Sequence, residues 1–230
     1  LPASFNDSAG TTPVSTPGTV ADSSNPVGLA LDLRLGATVL TDPGNHLLQA
    51  TSTARPLLSA YDGQTLGPGD TYPSTGFPIF QKFDGTDDGM AMASFAAGTL
   101  TSAMDCMIAV RIQGGPQPIA GLYQLDQTKY FGVVAATSSA GTYGGCGTPS
   151  IYVDDVPVAN TRDDLAVALG TGDWHILEYR NLDLSAWVSA GFGSYGGPYM
   201  LNGAQGGILL FPSSTSTADR NAARTWLGAK

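Results

Sequence analysis

Charge is scarce in this chain. Only 13% of its 230 residues are Asp, Glu, Lys or Arg, and no cluster of Lys or Arg occurs along it. That excludes nucleic-acid binding as a function class, because a phosphate backbone is met by a concentrated basic surface. The net charge of -9 and the pI of about 4.3 point the same way. Long apolar runs are missing too. None approaches the roughly 18 residues that a spanning helix needs, so no membrane insertion is expected. Two cysteines make no disulfide framework. Cys106 reads as a buried small apolar residue and Cys146, between glycines, as a loop thiol. The two histidines, His46 and His175, lie apart from the cysteines, which excludes a Cys/His metal centre. Glutamate occurs once, as Glu178.

Glycine and proline are plentiful, at 30 and 15 residues. They fall as punctuation between short apolar runs, which predicts many short strands joined by turns. The clearest strand is Met104 to Ile112, where Met104, Cys106, Ile108, Val110 and Ile112 share one face. Val27 to Leu35, Pro118 to Leu125, Lys129 to Ala136, Ser150 to Val158, Asp173 to Arg180 and Gly206 to Phe211 are further strand candidates. Residues 41 to 76 are turn-rich and expected to be mostly loop. Helix is expected only at the end, from Ser216 to Gly228. Ser216 is its N-cap, and Asp219 three residues on completes a capping-box-like pair. Trp226 is expected to anchor this helix to the sheet, with Arg220 and Arg224 on another side. The length suits one all-β sandwich. Residues 1–26, with Pro2, Pro13, Pro17 and Pro26, read as an extended N-terminal arm or linker ahead of a domain over 27–230.

Several segments, in order, resemble a known module. Phe5 to Val14 resembles F-x-D-x-A-G-T-T-P-V, and Pro26-Val27-Gly28-Leu29 with Asp32 resembles P-V-G-x-x-x-D. Asn45-His46, Gln49-Ala50-Thr51 and Arg55-Pro56 resemble N-H-x-x-Q-A-T-x-x-x-R-P. Phe83 to Asp88 resembles F-D-G-x-D-D, and Ser216 to Lys230 resembles S-x-A-[DE]-R ending in W/Y-L-x-A-K. Val153-Asp154-Asp155-Val156 resembles a V-[DN]-G-V hairpin with Asp155 in place of the usual Gly, and Trp174-His175 resembles the W-H that opens a core strand. Asp183 to Trp187 and Gly193-Ser194-Tyr195 resemble segments of versions carried by alphaproteobacterial prophages. The family is the concanavalin A-like (laminin-G-like) jelly-roll module of tailed-phage and prophage virion proteins. The resemblance implies a jelly-roll sandwich of two antiparallel sheets closed by a C-terminal helix. It also implies a non-enzymatic protein on the exposed surface of the virion, in a fibre, a spike or another tail-associated part. Its expected partners are other virion proteins and a host-surface glycan. Fibres are often trimers, so a homotrimer is expected by analogy. The alternatives are a structural decoration protein of capsid or tail without a ligand, and a polysaccharide-degrading enzyme. The module's usual W-x-D-P-S-D opening is absent and the chain begins at Leu1, which implies residues upstream.

The residues themselves argue against hydrolysis. Retaining glycosidases hold two carboxylates roughly 5 Å apart, and Glu178 has no carboxylate at strand spacing. No G-x-S-x-G elbow is present, and both histidines read as structural. No cofactor is expected, with calcium the one ion to keep. Asp84, Asp87 and Asp88 supply hard oxygen ligands at turn spacing. Asp and Gly are also what a solvated hairpin turn requires. Glycan binding needs exposed aromatic faces beside hydrogen-bonding groups. Tyr61, Tyr72, Tyr143, Phe192, Tyr195 and Tyr199 read as loop aromatics, of which Tyr143, Tyr195 and Tyr199, in glycine-rich loops, are the carbohydrate-binding candidates. The acidic balance predicts a neutral or weakly charged sugar, held weakly by one module and strengthened by multiple copies.

Overall fold

The computed structural model describes residues 4–5, 29–30, 47–48, 57–60, 79–92, 95, 100–114, 117–196 and 199–228, with backbone alone at 4–5, 29–30, 47–48, 57–60, 79–80, 194–196 and 228. The described chain is mostly β-strand in antiparallel sheets, with two short helices. The strands are β1 (Ser4–Phe5), β2 (Leu29–Ala30), β3 (Leu47–Leu48), β4 (Leu57–Ala60), β5 (Ile79–Asp84), β6 (Met90–Met92) and β7 (Met104–Gly114). After these come β8 (Ser150–Val153), β9 (Val156–Val158), β10 (Trp174–Leu182), β11 (Ala190–Phe192), β12 (Ser194–Gly196), β13 (Tyr199–Met200) and β14 (Asn202–Pro212). Helix α1 spans Arg162–Leu169 and α2 spans Thr217–Gly228.

The larger sheet has the order β4-β5-β14-β7-β10-β8-β9, and the smaller β1-β2-β3-β6-β11. Strand β7 alternates as its sequence predicts. Cys106, Ile108, Val110 and Ile112 enter the main core, with Leu177 and Tyr179 of β10, Ile151 and Val153 of β8 and Phe83 of β5. The expected arm at 1–26 lies outside the described residues except for Ser4–Phe5, which pair with Leu29–Ala30.

The strand candidates Pro118 to Leu125 and Lys129 to Ala136 form a kinked ribbon rather than full strands. Their bridges, Ile119 with Val133 and Tyr123 with Tyr130, are out of step by one residue. Two glycines cause the slip. Gly132 adopts φ 84°, and a Cβ on Gly121 would collide with the carbonyl of Phe131. Hydrogen bonds still cross the ribbon, from Phe131 N–H to Leu122 O at 2.9 Å and Ala120 N–H to Gly132 O at 2.8 Å. Tyr123 bridges to Gly191 of β11, and Tyr130 to Gly144. The ribbon thus continues the smaller sheet across the core. Leu122 and Phe131 point inward, while Ile119, Tyr123 and Val133 form a separate outer cluster. A buried polar chain ties the layers together: Tyr179 OH accepts from Gly132 N–H at 3.1 Å and donates to Thr142 Oγ1 at 2.8 Å.

Helix is not confined to the C-terminus. Thr161 caps α1, its Oγ1 accepting the Asp164 N–H at 3.3 Å, and Gly170 ends it at φ 53°. Leu165 and Leu169, four residues apart, bury one face. Alanine and aspartate dilute the apolar stripe of this short helix, which hides it from periodicity. The tract 41 to 76, expected as mostly loop, contributes β3 and β4.

Helix α2 closes the outer face of the larger sheet. Ser216 caps it as expected, accepting the Asp219 N–H at 3.1 Å. The anchoring residue is Leu227, not Trp226. Leu227 is 1% exposed and packs with Met107, Ala109 and Ile176, whereas Trp226 is 48% exposed. Arg220 and Arg224 reach under the helix to carboxylates of the sheet. Arg220 lies 2.7 Å from Asp105 Oδ2, and Arg224 lies 2.9 Å from Glu178 Oε2 and 3.1 Å from Asp155 Oδ1. Arg180 grips both Glu178 oxygens, at 2.9 and 2.8 Å. The hairpin β8–β9 explains the departure from glycine at Asp155. Asp154 and Asp155 sit at φ 50° and 66°, as a two-residue turn with right-handed twist requires, and the Asp155 carboxylate takes Arg180 and Arg224.

Leu227→Ala should destabilise the protein by about 2–5 kcal/mol, and Trp226→Ala by clearly less, because half of the indole is already in water. Chemical denaturation of the two variants beside the parent checks the order; a larger loss for Trp226→Ala would contradict the packing described.

Candidate functional site

The outer faces of the two sheets differ. Helix α2 covers that of the larger sheet, whereas the outer face of the ribbon carries aromatic and polar side chains. Tyr130 and Tyr199 are half-buried against Ile119, Tyr123 and Val133. The close approach of Tyr123 needs Gly191, since any Cβ there would overlap its ring. Burial also pushes the Tyr123 phenol up to about 12, so it remains a neutral donor.

Arg162, the first residue of α1, lies over the Tyr199 ring at 5.7 Å from its centroid. Its guanidinium is held by neutral acceptors from three other segments. Nε donates to Gly141 O at 3.1 Å, Nη1 to Gln117 Oε1 at 3.3 Å, and Nη2 to Tyr130 OH at 3.5 Å. Arg180, Arg220 and Arg224 each have a carboxylate partner; Arg162 has none among the described residues. Arg162, Gln117, Tyr130 and Tyr199 therefore form a half-exposed patch of one cation, one amide and two aromatic rings. Such a patch offers directed polar atoms to sugar hydroxyls beside aromatic rings.

Of the three carbohydrate-binding candidates, Tyr199 belongs to this patch. Tyr143 is half-buried and packs on the core, its ring edge-on to Tyr179 at 6.4 Å. Tyr195 lies in β12, the strand paired with β13, and its ring is outside the described side chains. Phe192, read as a loop aromatic, is fully buried and meets Phe83 edge-on at 5.3 Å. Tyr61, Tyr72 and His46 lie outside the described residues. Sequence reasoning missed Arg162, Gln117 and Tyr130. Only the pairing of distant segments brings them together, and the one local signal was the capping pattern of Thr161 with Asp164, which would have fixed where α1 starts.

The acidic turn adjoins the same hairpin. Asp84, Asp87 and Asp88 offer carboxylate oxygens all within 4.8 Å of one another. The turn packs on Gly193, just before β12, where a Cβ would meet the Phe83 ring and Asp88 O, and on Asn202 beside Gly85. Asp88 is not solvated, contrary to the sequence expectation; it is buried. Its Oδ2 accepts the Asp84 N–H at 2.9 Å, and Asp84 Oδ1 accepts the Thr86 N–H at 2.7 Å. Desolvation raises the Asp88 carboxyl to about 6, against the pull of the Asp84 N–H. The carboxylates thus brace the turn itself, and the cluster alone does not identify a calcium site.

Glu178 and His175 are engaged elsewhere. Glu178 is 1% exposed beneath α2. His175 Nδ1 lies 2.7 Å from Asp154 Oδ2, and Asp154 Oδ1 accepts the Ile176 N–H at 2.8 Å, so the pair fixes the β8–β9 turn against β10. Cys146, read as a loop thiol, is fully buried, and burial holds its proton on; both cysteines are free. Comparison with protein-family models, with curated proteins and with solved structures found no match to this chain.

Asp88 makes stability depend on pH. Its carboxyl titrates higher in the folded chain, at about 6, than the ordinary 3.8. The folded state therefore binds the proton more tightly, and this contribution is complete below about 3.8 and lost as pH rises through about 6. Asp88→Asn should melt higher than the parent at pH 7, with the difference vanishing towards pH 4. Millimolar calcium should leave both melting temperatures unchanged at pH 7. A calcium-dependent rise in the parent that Asp88→Asn abolishes would identify a cation site.

Proposed function

We propose that this chain is a concanavalin A-like jelly-roll module of a tailed-phage or prophage virion protein. On this reading it is displayed on the particle surface in a fibre, spike or other tail-associated part. It binds a host-surface glycan or a neighbouring virion subunit and carries out no chemistry. The observation that carries the ligand-binding reading is the half-exposed patch of Tyr130, Tyr199, Gln117 and Arg162. The architecture supports the module: antiparallel sheets on either side of one core, with a C-terminal helix docked on the larger. The ordered motifs over most of the chain support the virion assignment.

The state of Glu178 supports a binder over a glycosidase. Its two oxygens are held by Arg180 and Arg224 under α2, and at 1% exposure it is shielded from substrate. A general acid in glycoside hydrolysis needs the opposite, an open path to the scissile oxygen. Display in many copies, as in a trimeric fibre, compensates for weak single-site affinity.

The test is a glycan array of host-surface sugars, probed with a multivalent form of the protein. The parent should bind a defined subset of sugars and release no oligosaccharide from host polysaccharide. Tyr199→Ala should weaken the signal about tenfold or more if one stacked ring contributes about 1.5 kcal/mol. Tyr143→Ala, whose ring packs inward, should affect stability rather than the pattern of sugars bound. Absence of any glycan signal would favour the structural decoration reading. Product release abolished by Glu178→Gln would favour an enzyme.

A further inference from the structure

We infer that the glycan recognised by this face carries a carboxylate, as in a uronic acid, and that the Arg162 guanidinium is the group that selects it. The inference rests on the reading of the patch as a glycan site and specifies the ligand's chemistry.

The argument starts from how Arg162 is satisfied. A guanidinium has five N–H donors and no acceptor. In this protein the arginines beside carboxylates are gripped tightly: Arg180 reaches Glu178 at 2.9 and 2.8 Å, and Arg224 reaches it at 2.9 Å. Arg162 has one bond of ordinary length, Nε to Gly141 O at 3.1 Å, while its terminal nitrogens make long contacts of 3.3 and 3.5 Å with neutral oxygens. The cation is oriented but poorly neutralised. Charge-assisted N–H···O bonds to a carboxylate settle at about 2.7–2.9 Å and are about twice as strong as neutral ones. An arriving carboxylate can therefore take over the two terminal nitrogens from Gln117 and Tyr130, while Gly141 O keeps the group aimed.

Among the described residues, nearby acidic groups do not compete for it. Asp163 and Asp164 follow Arg162 in the chain, but Asp163 Oδ1 accepts the Asp164 N–H at 3.1 Å, and Asp164 Oδ2 takes the Thr161 hydroxyl proton. Both carboxylates serve the start of α1. The net charge of -9, from which a neutral or weakly charged sugar is expected, lowers the rate of encounter with an anion but does not set the contact itself. At physiological salt its reach is about 8 Å, so direct contact with Arg162 decides the affinity. One planar cation matches one planar monoanion in charge and shape. The Tyr199 ring, under the guanidinium, helps to hold it in place.

The test uses matched pairs of oligosaccharides that differ only at C6, glucuronate with glucose, galacturonate with galactose and mannuronate with mannose. Each is immobilised and probed with the intact protein in multivalent form and with Arg162→Gln and Arg162→Lys. For at least one pair the parent should favour the acid over its neutral partner by about tenfold or more, the worth of one charge-assisted contact. Arg162→Gln should bind both members equally, and Arg162→Lys should keep part of the preference. A purely structural role for Arg162 would lower binding to acid and neutral sugar alike, without altering their ratio. Equal binding of both members by the parent, or a preference that survives in Arg162→Gln, would overturn the inference and leave the glycan reading standing. Failure of the parent to bind any of the six sugars would overturn both.

Discussion

From Met104 to Val110 every side chain of β7 is buried, although the strand is amphipathic by its alternation. Residues of one parity face the core between the sheets. Asp105, Met107 and Ala109 face the other way and need a cover of their own. A strand with both faces buried at the centre of a seven-stranded sheet forces a third layer onto the fold, and α2 is that layer. Its position, and the exclusion of water from the outer face of β7 and β10, depend on meeting this one requirement.

Apolar contact alone covers little of that face, because α2 contributes Leu227 and Ala223 as its inward apolar groups. The remainder is ionic. Asp105, 0% exposed, accepts from Asn181 N–H and from the Ser213 hydroxyl as well as pairing with Arg220. Glu178 is shared by Arg180 and Arg224. Burying carboxylates is costly, and such pairs seldom add net stability over apolar replacements. What they supply is position. Arg220 and Arg224, one helical turn apart, fit two carboxylates at fixed places on β7 and β10, so sliding α2 along its axis would leave buried charges unpaired. The sequence shows two arginines at spacing four; the register they enforce requires knowing what lies beneath.

The same distinction separates what was legible from what was not. Alternation in Met104 to Ile112 gives the central strand, and Ser216 with Asp219 gives the start of α2, because each signal is local and strong. Trp226 is misleading because size does not fix burial: the helix turns the smaller Leu227 to the sheet. Asp88 misled because glycine-flanked aspartates read as solvated turn residues, and the packing of that turn on Gly193 is a long-range event. The ribbon of 118–135 was legible as paired extended chain, but Gly121 and Gly132 were not legible as the kink that turns Tyr130 and its neighbours to the outer face. The candidate patch joins residues from 117 to 199, and no local pattern reports such an assembly.

The two arginine environments differ in how the cation is matched. Beneath α2, arginines and carboxylates are matched in number and short in distance, although Nε of Arg220 and Nε of Arg224 are buried without a hydrogen-bond partner. On the ribbon face a guanidinium of the same kind is aimed by a backbone carbonyl and only loosely held by an amide and a phenol. If Arg162 served only to pin the loops at 117, 130 and 141, acceptors at ordinary distance would do so better than the long contacts seen. Among the described residues three arginines pair with carboxylates, whereas Arg162 is set among neutral acceptors beside an aromatic ring. That contrast is the physical ground on which the proposed glycan site is assigned to the ribbon face and not to the buried carboxylates.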